Sequence, residues 1–186
     1  MLLWRQLLLM DKRKLIRIIV PIFIVIVIAG IWVFKNSNPG SADSVTPNNS
    51  EDFVLETEAI DLDTLTAYGL PIIIDFGSDS CIPCKEMAPV LETMNAEMQG
   101  KAIVKFVDVW KHAEAADGFP IQIIPTQVLI NADGTPYVPS EDMDDSGIEF
   151  SMYSYKETGE HAFTVHQGGL TEDQMRAILT DMGVTE

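Results

Sequence analysis

The chain has 186 residues, 47% of them hydrophobic, and 28 acidic against 12 basic side chains give it a net charge of −16. A negative excess of this size excludes a nucleic-acid role built on phosphate contacts. Its two cysteines share one short motif, which excludes a framework of structural disulfides, and the length leaves a domain of about 130 residues, enough for a core without staples.

The charge is unevenly distributed along the chain. Residues 1–35 carry Arg5, Lys12, Arg13, Lys14, Arg17 and Lys35 against Asp11 alone, a balance of +5, and the remainder stands at −21. From Ile18 to Phe34 there is no charge, and only Pro21 and Gly30 interrupt the apolar run. With Leu15 and Ile16 ahead of Arg17, whose long side chain can snorkel, the stretch reaches the ~20 residues a bilayer crossing needs. We therefore assign residues 1–14 to a cytoplasmic N-terminus and 15–35 to a transmembrane anchor. The positive-inside rule then places everything after Lys35 outside the cell membrane, in the extracytoplasmic space. A buried core helix fits the flanking charges less well. A cleaved signal peptide is the other alternative, although the apolar run is long for one and no small-x-small cleavage pattern follows closely. Translation starts at Met1 or at Met10, which directly precedes Asp-Lys-Arg-Lys. Residues 36–52, NSNPGSADSVTPNNSED, have almost nothing to bury and read as a flexible spacer.

The globular part is expected over residues 53–186. Phe53-Val54-Leu55 reads as a short strand, and Leu62 to Tyr68 as a short amphipathic helix stopped by Gly69 and Pro71. Ile72 to Phe76, apolar except for Asp75, reads as a central strand covered on both faces. Lys85 to Gln99 is helical, with Met87, Val90, Leu91, Met94 and Met98 at helical spacing. Lys101 to Trp110 is the next strand, His112 to Gly118 a weak helical turn, Gln127 to Ile130 a strand, and Asn131 to Gly134 a hairpin-type turn. Thr171 with Gln174 forms a capping box for a last helix, Glu172 to Met182.

Both cysteines sit in Cys81-Ile82-Pro83-Cys84, where the apolar strand gives way to the helix, the layout of a dithiol that opens and closes one disulfide. Half of a structural zinc site is the alternative, but zinc wants four ligands and no second cysteine pair exists.

The stretch IIIDFGSDSCIPCKEMAPVLE resembles the active-site signature of the thioredoxin family: the apolar strand, Asp75 six residues before the first cysteine, Lys85 after the second, and Pro89 downstream. Ile124-Pro125-Thr126 resembles the family's cis-proline segment, and Gly168-Gly169 its glycine near the end of the last strand. The resemblance covers about residues 53–134 and 161–183. It implies an α/β, thioredoxin-like fold, a central mixed β-sheet flanked by helices, here preceded by the transmembrane helix. Cys81 at the helix N-terminus is then the expected nucleophile, its thiolate favoured by the helix dipole and free N–H groups. Cys84, one turn inside, resolves the mixed disulfide. Pro83 has the preset φ of a first helical turn. Asp75 is expected to be buried, with a raised pKa, and to exchange a proton with Cys84. Lys105 matches the family lysine near that aspartate; an ordinary exposed strand lysine is the alternative. Pro125 is expected to be cis, with substrate contacts at Ile82, Pro83, Ile124, Thr126 and Gly168.

Four departures from the family stand out. Ser80 replaces the usual Trp before the first cysteine, and Gly77-Ser78 replaces bulkier residues. Ile82-Pro83 differs from the Gly-Pro of reductases and the Pro-His of oxidants, so the potential, which spans ~−270 to ~−120 mV across the family, is not legible. Pro139 to Glu160 is an insertion before the last strand, read as an acidic loop plus a strand (Ile148, Phe150, Met152) hairpinned at Thr158-Gly159 to Ala162–Val165. Asp142, Asp144, Ser146 and Gly147 fit half a calcium loop, but Tyr153 stands where the bidentate Glu belongs. A partner-docking element is the other reading of the insertion.

The expected function is extracytoplasmic thiol-disulfide exchange with protein substrates as a reductase, by a monomer with no cofactor beyond the Cys81–Cys84 disulfide and no resident metal. A membrane electron-transfer partner of the DsbD/CcdA type would recharge it. The alternatives are a disulfide-forming oxidase or isomerase, a redox-inert adhesion module, and a Cu(I) metallochaperone using both thiolates with one of His112, His161 and His166.

Overall fold

The computed structural model describes residues 51–185. The assigned cytoplasmic tail, membrane anchor and nearly all of the spacer lie outside these residues; among the described residues no helix is long and apolar enough to cross a membrane.

Five strands form one mixed sheet: β1 (Ile72–Gly77), β2 (Ile103–Asp108), β3 (Thr126–Ile130), β4 (Phe150–Ser154) and β5 (His161–Gln167), in the order β2-β1-β3-β5-β4. Only β1 and β2 are parallel. Both are mostly apolar, with Asp75 in β1 and Lys105 and Asp108 in β2 as the exceptions. β1 is buried along its whole length and β2, although it ends the sheet, is buried everywhere but at Phe106, so both are covered on the two faces. The pleat divides the molecule in two. Ile73, Val104 and Leu129 face a core completed by Met87, Leu91 and Met94 of α2 (Ile82–Glu97) and Met175, Ile178 and Leu179 of α3 (Glu172–Asp181). Ile72, Ile74, Phe76, Ile103 and Val107 face the opposite core, closed by Phe53 and by Leu65 of α1 (Leu62–Thr66). Helix α3 begins with the anticipated capping box between Thr171 and Gln174.

Two expectations are corrected here. Residues 53–55 are no strand: Glu51–Phe53 forms a 3-10 turn, and pairing starts later, as a lone parallel bridge between Glu56 and Phe106. Leu55 and Thr57 supply its two backbone hydrogen bonds, so the sheet edge is met by a single contact. The insertion is also more than a solvated acidic loop. Its strand does pair antiparallel with β5, but Glu141–Ser146 is a 3-10 turn that buries Met143 at 5% exposure, and Ile148 precedes β4 as a core residue. Tyr137, just ahead of the insertion, donates its hydroxyl to Asp181 of α3 at 2.5 Å. Met152, at 59% exposure, faces solvent instead of joining Ile148.

Candidate active site

Cys81 is the N-cap of α2. It is extended at φ −86°, its Sγ accepts the N–H of Cys84 at 3.3 Å, and Pro83 lies in the first turn, where a missing N–H is harmless. The two sulfurs are joined as a disulfide. Both cysteines are shielded, at 8% exposure for Cys81 and 4% for Cys84, so the difference between them lies in their neighbours. Cys81 Sγ lies 3.9 Å from the carbonyl oxygen of Ile124, next to the cis Ile124–Pro125 bond. The Pro125 carbonyl accepts the N–H of Gly168 at 2.9 Å, and a β-carbon on Gly169 would lie 4.0 Å from the Pro83 carbonyl. Ile82, at 72% exposure, and Ile123 make an apolar rim.

Cys84 faces inward. A β-carbon on Gly77 would lie 3.1 Å from Asp75 Oδ2, 3.3 Å from Cys84 Sγ and 2.9 Å from Phe106 Cε2, so the carboxylate and the sulfur border one small gap that only glycine leaves open. Asp75 is fully buried in β1, and burial pushes its carboxyl up to about 7 against a hydrogen bond from Gln127 that favours the anion. Gln127 Nε2 donates to Asp75 Oδ1 at 2.5 Å, while Asp75 Oδ2 and Gln127 Oε1 have no hydrogen-bond partner. A cavity of about 290 Å³ reaches Cys84 from the flank of α2, bordered by Ser78, Lys85, Glu92 and Phe106.

The loop ahead of Cys81 is tied down by Asp108 at the end of β2. Its carboxylate accepts the N–H groups of Asp79 and Trp110, each at 3.0 Å, and that of Lys111 at 3.3 Å. Burial works to raise its pKa, but these donors and the Lys111 ammonium together hold it below the usual carboxylate range. Lys111 also bridges to Asp79.

A family model for thioredoxin matches residues 57–149. The chain belongs to the thioredoxin family. As a thioredoxin-family thiol-disulfide oxidoreductase, it carries its chemistry in the Cys81–Cys84 pair. It is 39% identical over 67 residues to thioredoxin 1 of Chlorobaculum tepidum, covering 36% of this chain and 66% of that protein. It is 34% identical over 86 residues to thioredoxin C-2 of Corynebacterium nephridii, covering 46% and 74%. A solved structure, the thioredoxin of Fasciola hepatica, aligns at 23% identity and a TM-score of 0.46 over 68% of this chain and 97% of the other.

Within this thioredoxin fold, Cys81, Cys84, Asp75, Ile82, Pro83, Ile124, Pro125 and Gly168 come together around the disulfide. Lys105 does not. β1 and β2 pair Ile74 with Lys105 and Asp75 with Phe106, so Lys105 leaves the sheet on the face opposite Asp75. Its ammonium donates to the carbonyls of Val54 at 2.7 Å and Glu51 at 3.2 Å, and burial lowers its pKa against the opposing charge of Asp52. It anchors the 3-10 turn and takes no part in the site. Thr126 is fully buried, and its hydroxyl donates to the Ile123 carbonyl at 2.7 Å, bracing the loop. No group of three or more His, Cys, Asp and Glu that could hold a metal is found among the described residues. His161 is engaged with Thr164 and the Phe163 carbonyl, and His166 with the Glu149 carbonyl.

Sequence reasoning missed Gln127 and Asp108. Gln127 was detectable as a polar residue two positions from Leu129, hence on the core face of its strand. Asp108 went unmarked because nothing near it in sequence points to the loop it holds, which lies 29 residues earlier at Asp79.

Proposed function

We propose that this thioredoxin-family protein reduces disulfides in protein substrates outside the cytoplasm, held at the cell membrane by residues 15–35. The uncharged run from Ile18 to Phe34 and the +5 against −21 charge division support that address. The observation that carries the exchange chemistry is the buried carboxyl of Asp75 beside Cys84, which can take the proton that Cys84 must lose at the resolving step. Lys105, on the opposite face of the sheet, takes no share in that proton transfer.

The chemistry runs in two exchanges. The Cys81 thiolate attacks one sulfur of the substrate disulfide; a Cys81–substrate bond forms, the substrate S–S bond breaks, and its electron pair leaves with the other sulfur, which takes up a proton. Cys84 then gives its proton to Asp75 and attacks Cys81 Sγ. The mixed disulfide breaks, the second substrate sulfur leaves as a thiolate, and the Cys81–Cys84 disulfide is regenerated. The substrate gains two electrons and the dithiol loses two. The rim formed by Ile82, Ile123 and the Ile124 backbone beside cis-Pro125 would receive the substrate chain. An extracytoplasmic dithiol must be recharged across the bilayer, which calls for a membrane donor of the DsbD/CcdA type.

Equilibration of the purified protein with glutathione buffers tests the direction. A reductase is expected near the thioredoxin end of the scale, about −270 mV, and a value above about −150 mV would reassign the protein as an oxidant.

A further inference from the structure

We propose that Gln127 is a positioning residue for the resolving step: its side-chain amide fixes the Asp75 carboxyl so that Oδ2 alone faces Cys84 and takes its proton. This rests on the reading of Asp75 as the acceptor and adds the residue that orients it.

The geometry is specific. Asp75 and Gln127 are direct cross-strand partners, on β1 and β3, with their side chains on the α2 face. An ionised carboxylate only accepts hydrogen bonds, so the NH2 end of the amide must face it, as the 2.5 Å contact from Nε2 to Oδ1 requires. Met87 Sδ, 3.4 Å from the same nitrogen, packs against the amide. With Oδ1 occupied, the free oxygen is Oδ2, which borders the Gly77 gap together with Cys84 Sγ.

Charged side chains, Glu56, Asp79, Lys85 and Glu92, border the cavity that reaches Cys84, while burial and the Gln127 amide set the state of the Asp75 carboxyl itself. β2 presents Val104 and Phe106, α2 presents Met87 and Cys84, and β3 presents Gln127. One strand farther, β5 places His166 opposite Gln127, with its Nδ1 held by the Glu149 carbonyl at 2.9 Å. Lys105 is on the other face. A neutral amide orients the carboxyl and favours its anion modestly, without fixing it as a permanent anion as a buried cation would. The carboxyl can therefore take and return a proton near neutral pH, which a resolving cysteine requires at each turnover.

The test follows reduced, full-length protein in detergent as it reacts with an aromatic disulfide, 5,5′-dithiobis(2-nitrobenzoate). The first release of nitrothiobenzoate reports attack by Cys81, and the second reports resolution by Cys84. The second phase is expected to rise with pH through a midpoint that Asp75→Asn abolishes. Gln127→Met, of similar length and without a donor, should raise that midpoint by about one pH unit, leave the first phase in place, and have no effect in the Asp75→Asn background. If Asp75→Asn leaves the profile intact, Asp75 is not the acceptor and the inference falls with it. If Asp75→Asn removes the midpoint but Gln127→Met leaves it unmoved, or alters the rate equally in both backgrounds, only the role of Gln127 is overturned. Should Gln127→Met fail to fold, side-chain NMR of the wild type decides: a Gln127 amide resonance that titrates with the Asp75 carboxyl supports the assignment, and one that ignores it overturns it.

Discussion

Asp75 is a fully buried carboxyl, and it makes stability depend on pH. Its folded pKa, about 7, lies above the ordinary 3.8, so between these values the folded state binds the proton that the unfolded state has released. Stability contributed by this group is therefore full below about pH 4, falls as pH rises towards 7, and is flat beyond. Asp75→Asn removes the buried charge, and we expect it to stabilise the protein at pH 8 by on the order of 2–4 kcal/mol, with little effect at pH 4, in denaturant titrations at both values. Lys105 gives the contrasting expectation. Lys105→Met strips the Val54 and Glu51 carbonyls of their donor, which should cost about 1–3 kcal/mol in the same titration while leaving the rate and pH profile of disulfide exchange unchanged. A shift of that profile would return Lys105 to the site.

At the scale of elements, the insertion separates into a part that holds the fold and a part that does not. Met143 is buried in the core beneath α3, whereas Met152 stands on the outer strand in solvent. Met143→Ala is expected to cost about 2–4 kcal/mol, and Met152→Ala less than about 0.5 kcal/mol, as thermal unfolding of the two variants would show. The elements also show what could be read from sequence. The strand-to-helix junction at Cys81, the cis-proline segment and the last helix were legible because each is written locally, in adjacent residues or a cap. The faces of β2 were not: Ile103, Val107, Val104 and Phe106 are apolar on both sides of the pleat, so no alternation shows which side Lys105 takes. Only the register against β1 decides it. The partner of Gln127 was hidden for a related reason, since Asp75 is distant in sequence and becomes its neighbour only through antiparallel pairing of β1 with β3. The 3-10 turn of the insertion escaped because an acidic run reads as solvated when Met143 is its one apolar member.

For the molecule as a whole, the sheet brings three separate stretches to one point: the junction at Cys81, the loop at Pro125 and the turn at Gly168. The Gly168 N–H on the Pro125 carbonyl and the Asp108 carboxylate under the preceding loop hold that assembly. The outer side of the disulfide offers Cys81 and an apolar rim to a visiting chain. The inner side keeps Cys84 beside a carboxyl that can take its proton. This division of labour between the two sulfurs is the central claim, and substrate trapping in intact cells tests it most directly. The Cys84→Ser chain should accumulate reductant-sensitive conjugates with extracytoplasmic proteins through Cys81, and Cys81→Ser should accumulate few. Equal trapping by both variants, or conjugates confined to cytoplasmic proteins, would contradict the account.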